Sequence, residues 1–412
     1  MTERTPTTAS RDRDRAVRFE YDPATIRLGI GCVDDLADEL EHLNLERAMV
    51  VCGRTVGSTP EVIDPVRAGL GDRLGGVFDE TTPEKRLHTA FDGLERLEGN
   101  DCDALVSLGG GSSLDVAKVI STLAASDRSR EDVAAEFVER GTITVPEEGL
   151  IPIVAIPTTL AGADLTQVAG VTASPESGLV DGKLGGGISG RELMPEAVFY
   201  DPELVSTTPE SVLAASAMNG FDKGIETIYA NNATPVTDAT AARGLGLLEN
   251  GLRSYGRGDR EMETFETLLE GILLVQYGIS RPGETTLSVV HAFGHGLTRT
   301  YDVQQGAAHA VVVPHVLEYL LADESADART DVLADALGVD AEGDPTNAIV
   351  ERVTAVRDAL GLPARLRDVD GPERDEFPAV AEAILADKFM ANAPPGLDPD
   401  SEEIEAILER AW

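Results

Sequence analysis

The chain has 412 residues, of which 42% are hydrophobic, enough for two packed domains. Asp and Glu total 73 against 34 Lys and Arg, and the resulting formal charge of −39 is spread along the chain. Such a surface repels nucleic acid and anionic lipid, and no run of about 18 apolar residues exists to span a membrane.

The dense carboxylate shell and the low, odd cysteine count (Cys32, Cys52, Cys102) point to a cytoplasmic protein of a high-salt cell. Only five lysines occur, at 85, 118, 183, 223 and 388, and the other 29 basic residues are arginine. Each lysine is therefore worth following, because a compact ammonium on a flexible stem does a different job from a guanidinium.

In chain order, MTERTPTTASRDRDR lacks an apolar core and reads as a flexible charged arm over 1–17. From 18 to 205, buried strands are expected at RAMVVC (47–52), DALVSL (103–108) and IPIVAI (151–156). Helical periodicity separates them, in VDDLADELEHL, PEVIDPVRAGL and SLDVAKVISTLAAS. Strand–helix alternation predicts a Rossmann-like α/β domain with a parallel sheet covered on both faces. From 206 to 412 the period is 3.6 residues throughout, which predicts an all-helical second domain. A site is expected in the cleft between the two, beyond the carboxyl ends of the strands.

The most informative stretch is LVSLGGGSSLDVAK. Gly109, Gly110 and Gly111 can turn sharply and bring backbone N–H groups to an anion. Ser112 or Ser113 is expected to cap the following helix, whose N-terminus favours phosphate. This is neither a P-loop nor GxGxxG.

GGGSSLDVAK resembles the GGGSxxDxAK signature of the iron-dependent alcohol dehydrogenase superfamily. The resemblance continues in IPTTLAGADLT (156–166), LMPEAVFYDPEL (193–204), and HAFGHGL followed by GAAHAVVVPHVL. It runs from about residue 20 to the C-terminus. In MNGFDKGIETIYANNATPV and MANAPP the chain looks most like the maleylacetate reductase branch. The resemblance implies a dinucleotide-binding domain of the dehydroquinate synthase-like type and a helical catalytic domain. It implies that Gly109, Gly110, Gly111, Ser112 and Ser113 hold a pyrophosphate. Thr158, Thr159 and Leu160 would line the adenosine side, and Lys183 would reach the nicotinamide ribose. Asp115 either lies near the cofactor or caps its helix. Many NAD-preferring members carry Asp at the end of the second strand, where this chain has Gly53 and Arg54. That exchange makes room for a 2′-phosphate, so NAD or NADP is expected, with NADP tolerated.

Metal-dependent members use one Asp and three His, and by alignment those positions are Asn219, Lys223, His291 and Gln305. An amide is a poor ligand and an ammonium has no lone pair. The expectation is therefore an enzyme without a catalytic metal. Lys223 would act as electrophile, Asn219 would orient the substrate or the lysine, and His291 or His295 would relay the proton. In a competing reading Lys223 pairs with Asp222 or Glu226. If a metal binds, His291, His295 and His309 are the expected ligands. Arg299 is either a clamp for a substrate carboxylate or a surface residue near a helix end. His42, His88 and His315 are expected to be surface or packing residues.

The reading is an NAD(P)-dependent oxidoreductase acting on a small alcohol/carbonyl pair, such as a maleylacetate-like keto acid or an aldehyde, and assembling as a homodimer. The alternatives are a metal-dependent alcohol dehydrogenase with an unusual ligand set, a non-redox dehydroquinate synthase-like lyase, and an inactive nucleotide-binding protein.

Overall fold

The computed structural model describes residues 17–339 and 343–412. Almost all of the arm expected over 1–17 lies outside these residues. Six strands form one parallel sheet: β1 (Thr25–Leu28), β2 (Ala48–Gly53), β3 (Leu74–Thr81), β4 (Ala104–Gly109), β5 (Ile153–Pro157) and β8 (Ala197–Tyr200). Their order is β1-β8-β5-β4-β2-β3, and every neighbouring pair is parallel. Between β5 and β8 the chain makes an antiparallel hairpin, β6 (Val168–Ala173) with β7 (Leu184–Ser189). The three strands expected from sequence are β2, β4 and β5, shifted by one or two residues.

Successive strand residues face opposite sides of the sheet, so the continuous apolar runs bury both faces. Val50, Cys52, Val106 and Val154 pack with α1 (Leu36–His42) and α3 (Pro60–Leu70). Met49, Val51 and Leu105 face the other way, against α4 (Leu87–Gly99) and α5 (Gly111–Ala124). Short α2 (Arg54–Ser58) follows β2, and α6 (Arg130–Arg140) follows α5. The second core continues without a break into the helical half, so the two halves share one apolar interior.

That half begins with α7 (Pro202–Ser206) and α8 (Glu210–Tyr229). It continues with α9 (Pro235–Gly256), α10 (Met262–Gln276), α11 (Val289–Thr298) and α12 (Gln305–Ala322), then α13 (Thr330–Ala336), α14 (Pro345–Ala359), α15 (Phe377–Leu385) and α16 (Ser401–Ala411). It is not wholly helical, because β9 (Ser280–Arg281) and β10 (Glu284–Thr285) form a short hairpin before α11. No described helix is long and apolar enough to cross a membrane.

Candidate functional site

The chain order reverses at β4, which lies between β2 and β5, so the carboxyl ends of β2 and β4 open a crevice. Gly53 ends β2 and Gly109 ends β4. Gly109 has φ +132, which a side chain would resist, and it lets the chain turn directly into α5. The N-cap of α5 is Gly110, with no side-chain cap, which leaves N–H groups of the first turn for an anion. The serine cap expected from sequence is not formed. Ser113 is buried and its hydroxyl pairs with Thr81 Oγ1 at 3.1 Å; Ser112 lies in the first turn of α5.

One segment, 158–164, joins this crevice to the helices. A Cβ on Gly110 would lie 3.3 Å from Thr159 Cγ2, and one on Gly111 would lie 3.1 Å from Ala163 Cβ. Thr158 N–H donates to Gly109 O at 3.0 Å. On its other side the segment is pinned to α8 and α10. Leu160 N–H donates to Ser216 Oγ at 3.1 Å, and Gln276 Oε1 accepts from the N–H groups of Asp164 and Leu165. Gly220 makes the approach to α8 possible, since a Cβ there would lie 2.1 Å from Leu160 O. Leu160 is itself fully buried in the core, so its side chain packs the joint.

Two further residues expected near the cofactor lie as follows. Asp115 neither caps α5 nor lies free for a ligand. Its carboxylate pairs with Lys85 Nζ at 2.5 Å and accepts Gly170 N–H at 3.2 Å, tying α5 to β6. Lys183 is exposed in the turn before β7 and makes no ion pair among the described residues. Gly53 caps α2, where a Cβ would lie 3.4 Å from Thr81 O, and Arg54 beside it is exposed.

On the helical side, α8 presents Asn219, Lys223 and Glu226 along one face and Asp222 beside them. Lys223 is 8% exposed. Its ammonium donates to Ala161 O at 2.8 Å and Gly162 O at 2.6 Å, in the segment that abuts the glycine loop. Burial lowers its pKa, against the upward pull of Asp222 and Asp164. The expected alternative, pairing with Asp222 or Glu226, is not formed, because both carboxylates are taken by histidines. His291 Nδ1 lies 2.5 Å from Glu226 Oε2, and His309 Nδ1 bonds Asp222 Oδ2. The two imidazoles meet edge to face at 4.7 Å. Asn219 Oδ1 is buried without a partner among the described residues.

His295, one turn after His291 on α11, has a partner of its own. Its Nδ1 lies 2.9 Å from Asp387 Oδ2, and Arg299 reaches the same oxygen, also at 2.9 Å. Arg299 is thus exposed at the end of α11 and paired with Asp387. The three-histidine ligand set is not assembled either. The group that comes together is Asp222, His291 and His309, each offering an atom within 4.8 Å of the others. The sequence reading did not count Asp222 as a ligand. Gln305, at the remaining aligned position, opens α12.

The donor chemistry of this group decides how well it suits an ion. His309 Nε2 has no partner among the described residues, but it is pressed against α11, where a Cβ on Gly294 would lie 2.1 Å from it. That side of the ring is closely packed against the α11 backbone. The Nδ1 atoms of both histidines face carboxylates at hydrogen-bond range, and the buried ammonium of Lys223 stands on α8 between those two carboxylate positions in sequence. As placed, these residues form two carboxylate–imidazole pairs beside a lysine.

Residues 23–202 match the family described as iron-containing alcohol dehydrogenase, and residues 213–412 match its C-terminal part. The chain belongs to the iron-containing alcohol dehydrogenase family. It is 27% identical over 400 residues to lactaldehyde reductase of Escherichia coli, covering 94% of this chain and 98% of that one. Maleylacetate reductase of Pseudomonas aeruginosa is also 27% identical, over 398 residues, covering 95% and 97%. A solved 1,3-propanediol oxidoreductase superposes with a TM-score of 0.82 at 25% identity, over 96% of this chain and 100% of the other. The family's fold and the maleylacetate reductase likeness expected from the motifs are thereby confirmed. Like these relatives, the chain is an oxidoreductase acting on alcohols.

Sequence reasoning named Asp222 and Glu226 only as possible partners of Lys223, and it missed Gln276. Glu226 stands seven residues after Asn219 and three after Lys223, so helical spacing alone could have placed it on the same face. Nothing local marks Gln276, whose partners Asp164, Leu165 and Tyr200 lie between 76 and 112 positions away.

Proposed function

We propose that this chain is an NAD(P)-dependent carbonyl reductase and alcohol dehydrogenase in which Lys223, in place of a metal ion, stabilises the substrate oxygen. The observation that carries the reading is the position of Lys223. Its ammonium is buried and held by two carbonyls of the segment that also touches the glycine loop. When bound, the nicotinamide supplies a hydride to the carbonyl carbon. Lys223 uses two of its three N–H donors on Ala161 and Gly162, which leaves one for the developing alkoxide. The lowered pKa of the amine eases transfer of that proton to oxygen. Asn219, one turn away with its unpartnered amide oxygen, can accept a substrate hydroxyl. His291 adjoins the same space and can resupply the proton.

The uncapped start of α5 and the close-packed glycine loop suit a dinucleotide pyrophosphate. The absence of a carboxylate at the end of β2, with Arg54 beside it, favours acceptance of NADP. A small keto acid of the maleylacetate kind or an aldehyde is the proposed substrate class, given the likeness to maleylacetate reductases. A second reading rests on the Asp222, His291 and His309 group, which would hold zinc or iron if Asp222 released His309.

One experiment separates the two. Purified protein is analysed for metal and assayed with NADPH and NADH before and after chelation, alongside Lys223→Met. The lysine reading expects substoichiometric metal and no effect of chelator. It also expects a fall in kcat of about 10²–10³-fold for the variant, comparable to removal of one oxyanion-hole donor. Full kcat in Lys223→Met, or loss of activity on chelation restored by metal, overturns it.

A further inference from the structure

Glu226 belongs to no expected catalytic set, yet it is fully buried and grips one residue twice. Its Oε1 accepts the main-chain N–H of His291 at 2.9 Å, and its Oε2 lies 2.5 Å from the ring Nδ1 of the same residue. Tyr229 OH adds a weak third contact at 3.4 Å. The carboxylate also stands at the start of α11, a helix without a side-chain cap of its own. There the exposed N–H groups of the first turn and the positive end of the helix both favour a negative charge. His291 Nε2 makes no hydrogen bond among the described residues and is not one of the sealed, unpartnered atoms.

We propose that Glu226 is the positioning residue for the proton-transfer histidine of this site. By holding the main chain and Nδ1 of His291 together, it fixes the tautomer in which Nδ1 carries the hydrogen and Nε2 is the exchanging atom. The inference rests on the reading of His291 as the residue that resupplies the proton. A carboxylate that orients an imidazole through Nδ1–H is a recurring device, and its removal leaves the ring in place with the wrong nitrogen protonated.

Glutamine makes the contrast sharp. Its amide has one acceptor where Glu226 has two. If that oxygen keeps the main-chain N–H of His291, the NH₂ group faces Nδ1 and can only donate to it, which moves the ring hydrogen to Nε2. An aspartate is shorter but keeps two acceptors.

The test uses full-length protein labelled with ¹⁵N-histidine, the His291 signals being identified by their loss in His291→Asn. At pH 8 the parent should show Nδ1 protonated and Nε2 free, and Glu226→Gln should show the reverse. The same variant should keep KM and lose about 10²–10⁴-fold in kcat, while Glu226→Asp recovers much of it. A parent ring protonated at Nε2 overturns the proposal without any variant. So does an unchanged tautomer in Glu226→Gln, or a reversed tautomer with full kcat. The tautomer is read without turnover, so a chain that reduces no carbonyl compound would sink the proposed function and leave the orientation result standing.

Discussion

At Gly294 the space that a Cβ would take is filled by the ring of His309, 2.1 Å from the ideal position. The ring is fully buried and bonded to Asp222, so it has nowhere to move. Gly294→Ala should therefore destabilise the protein by about 1–3 kcal/mol, as overpacking of a tight core does. Urea unfolding midpoints check it. Removing the ring as well, in Gly294→Ala with His309→Ala, should make the two losses non-additive, because the clash disappears with its partner. Equal, additive losses would show that α11 yields instead of the ring. Lys223 and Asn219 belong to this scale too. Their places on one face of α8 follow from four-residue spacing, but the partners of Lys223 come from a loop 61 and 62 positions away.

The elements that meet the crevice are held by short polar clips. Glu136, near the end of α6, accepts from Arg128, Arg140, and both the hydroxyl and N–H of Thr144. It thereby fastens the chain beyond α6 at the point where Gly141 O receives Gly187 N–H of β7. Desolvation alone would raise its pKa, but the hydrogen bonds from Thr144 and Arg128 outweigh it and bring the carboxyl down to about 2. A folded-state pKa below the unfolded value of about 4.3 means the stabilisation is complete above that pH and is lost as pH falls through 2. Glu136→Gln should cost about 1–2 kcal/mol at pH 7, and the difference should shrink below pH ~4 and close near pH ~2. Denaturation of both proteins across that range measures it. A constant difference at all pH values would assign the loss to packing.

For the molecule as a whole, the charge of −39 is the dominant fact. Like charges crowded on a compact surface repel one another more than in the unfolded chain, and salt screens them, the Debye length falling from about 10 Å at 0.1 M to about 3 Å at 1 M. The thermal midpoint should rise by about 5 °C or more between 0.1 M and 2 M KCl. Calorimetry at several salt concentrations tests this. A midpoint that is flat or falling with salt would mean that paired carboxylates, such as Glu249 with Arg253 and Arg352, already neutralise the repulsion.

The parallel sheet, the glycine loop and the helical second half could be read from the chain because each is written locally. Apolar runs of strand length, three glycines before a helix, and a 3.6-residue period are properties of neighbouring residues. The family likeness came through the same local stretches. Side-chain partnership was not local. Whether Ser113 caps a helix or bonds Thr81, whether Asp115 meets a ligand or Lys85, and whether Lys223 meets a carboxylate or two carbonyls depends on segments brought together from far apart. His295 and Asp387 are separated by 92 positions, and Asp222 and His309 by 87. Sequence by itself determined which chemical groups the cleft would contain. Tertiary packing decided which of them are already spent on one another, because most buried polar atoms find a partner and packing sets which one lies within reach.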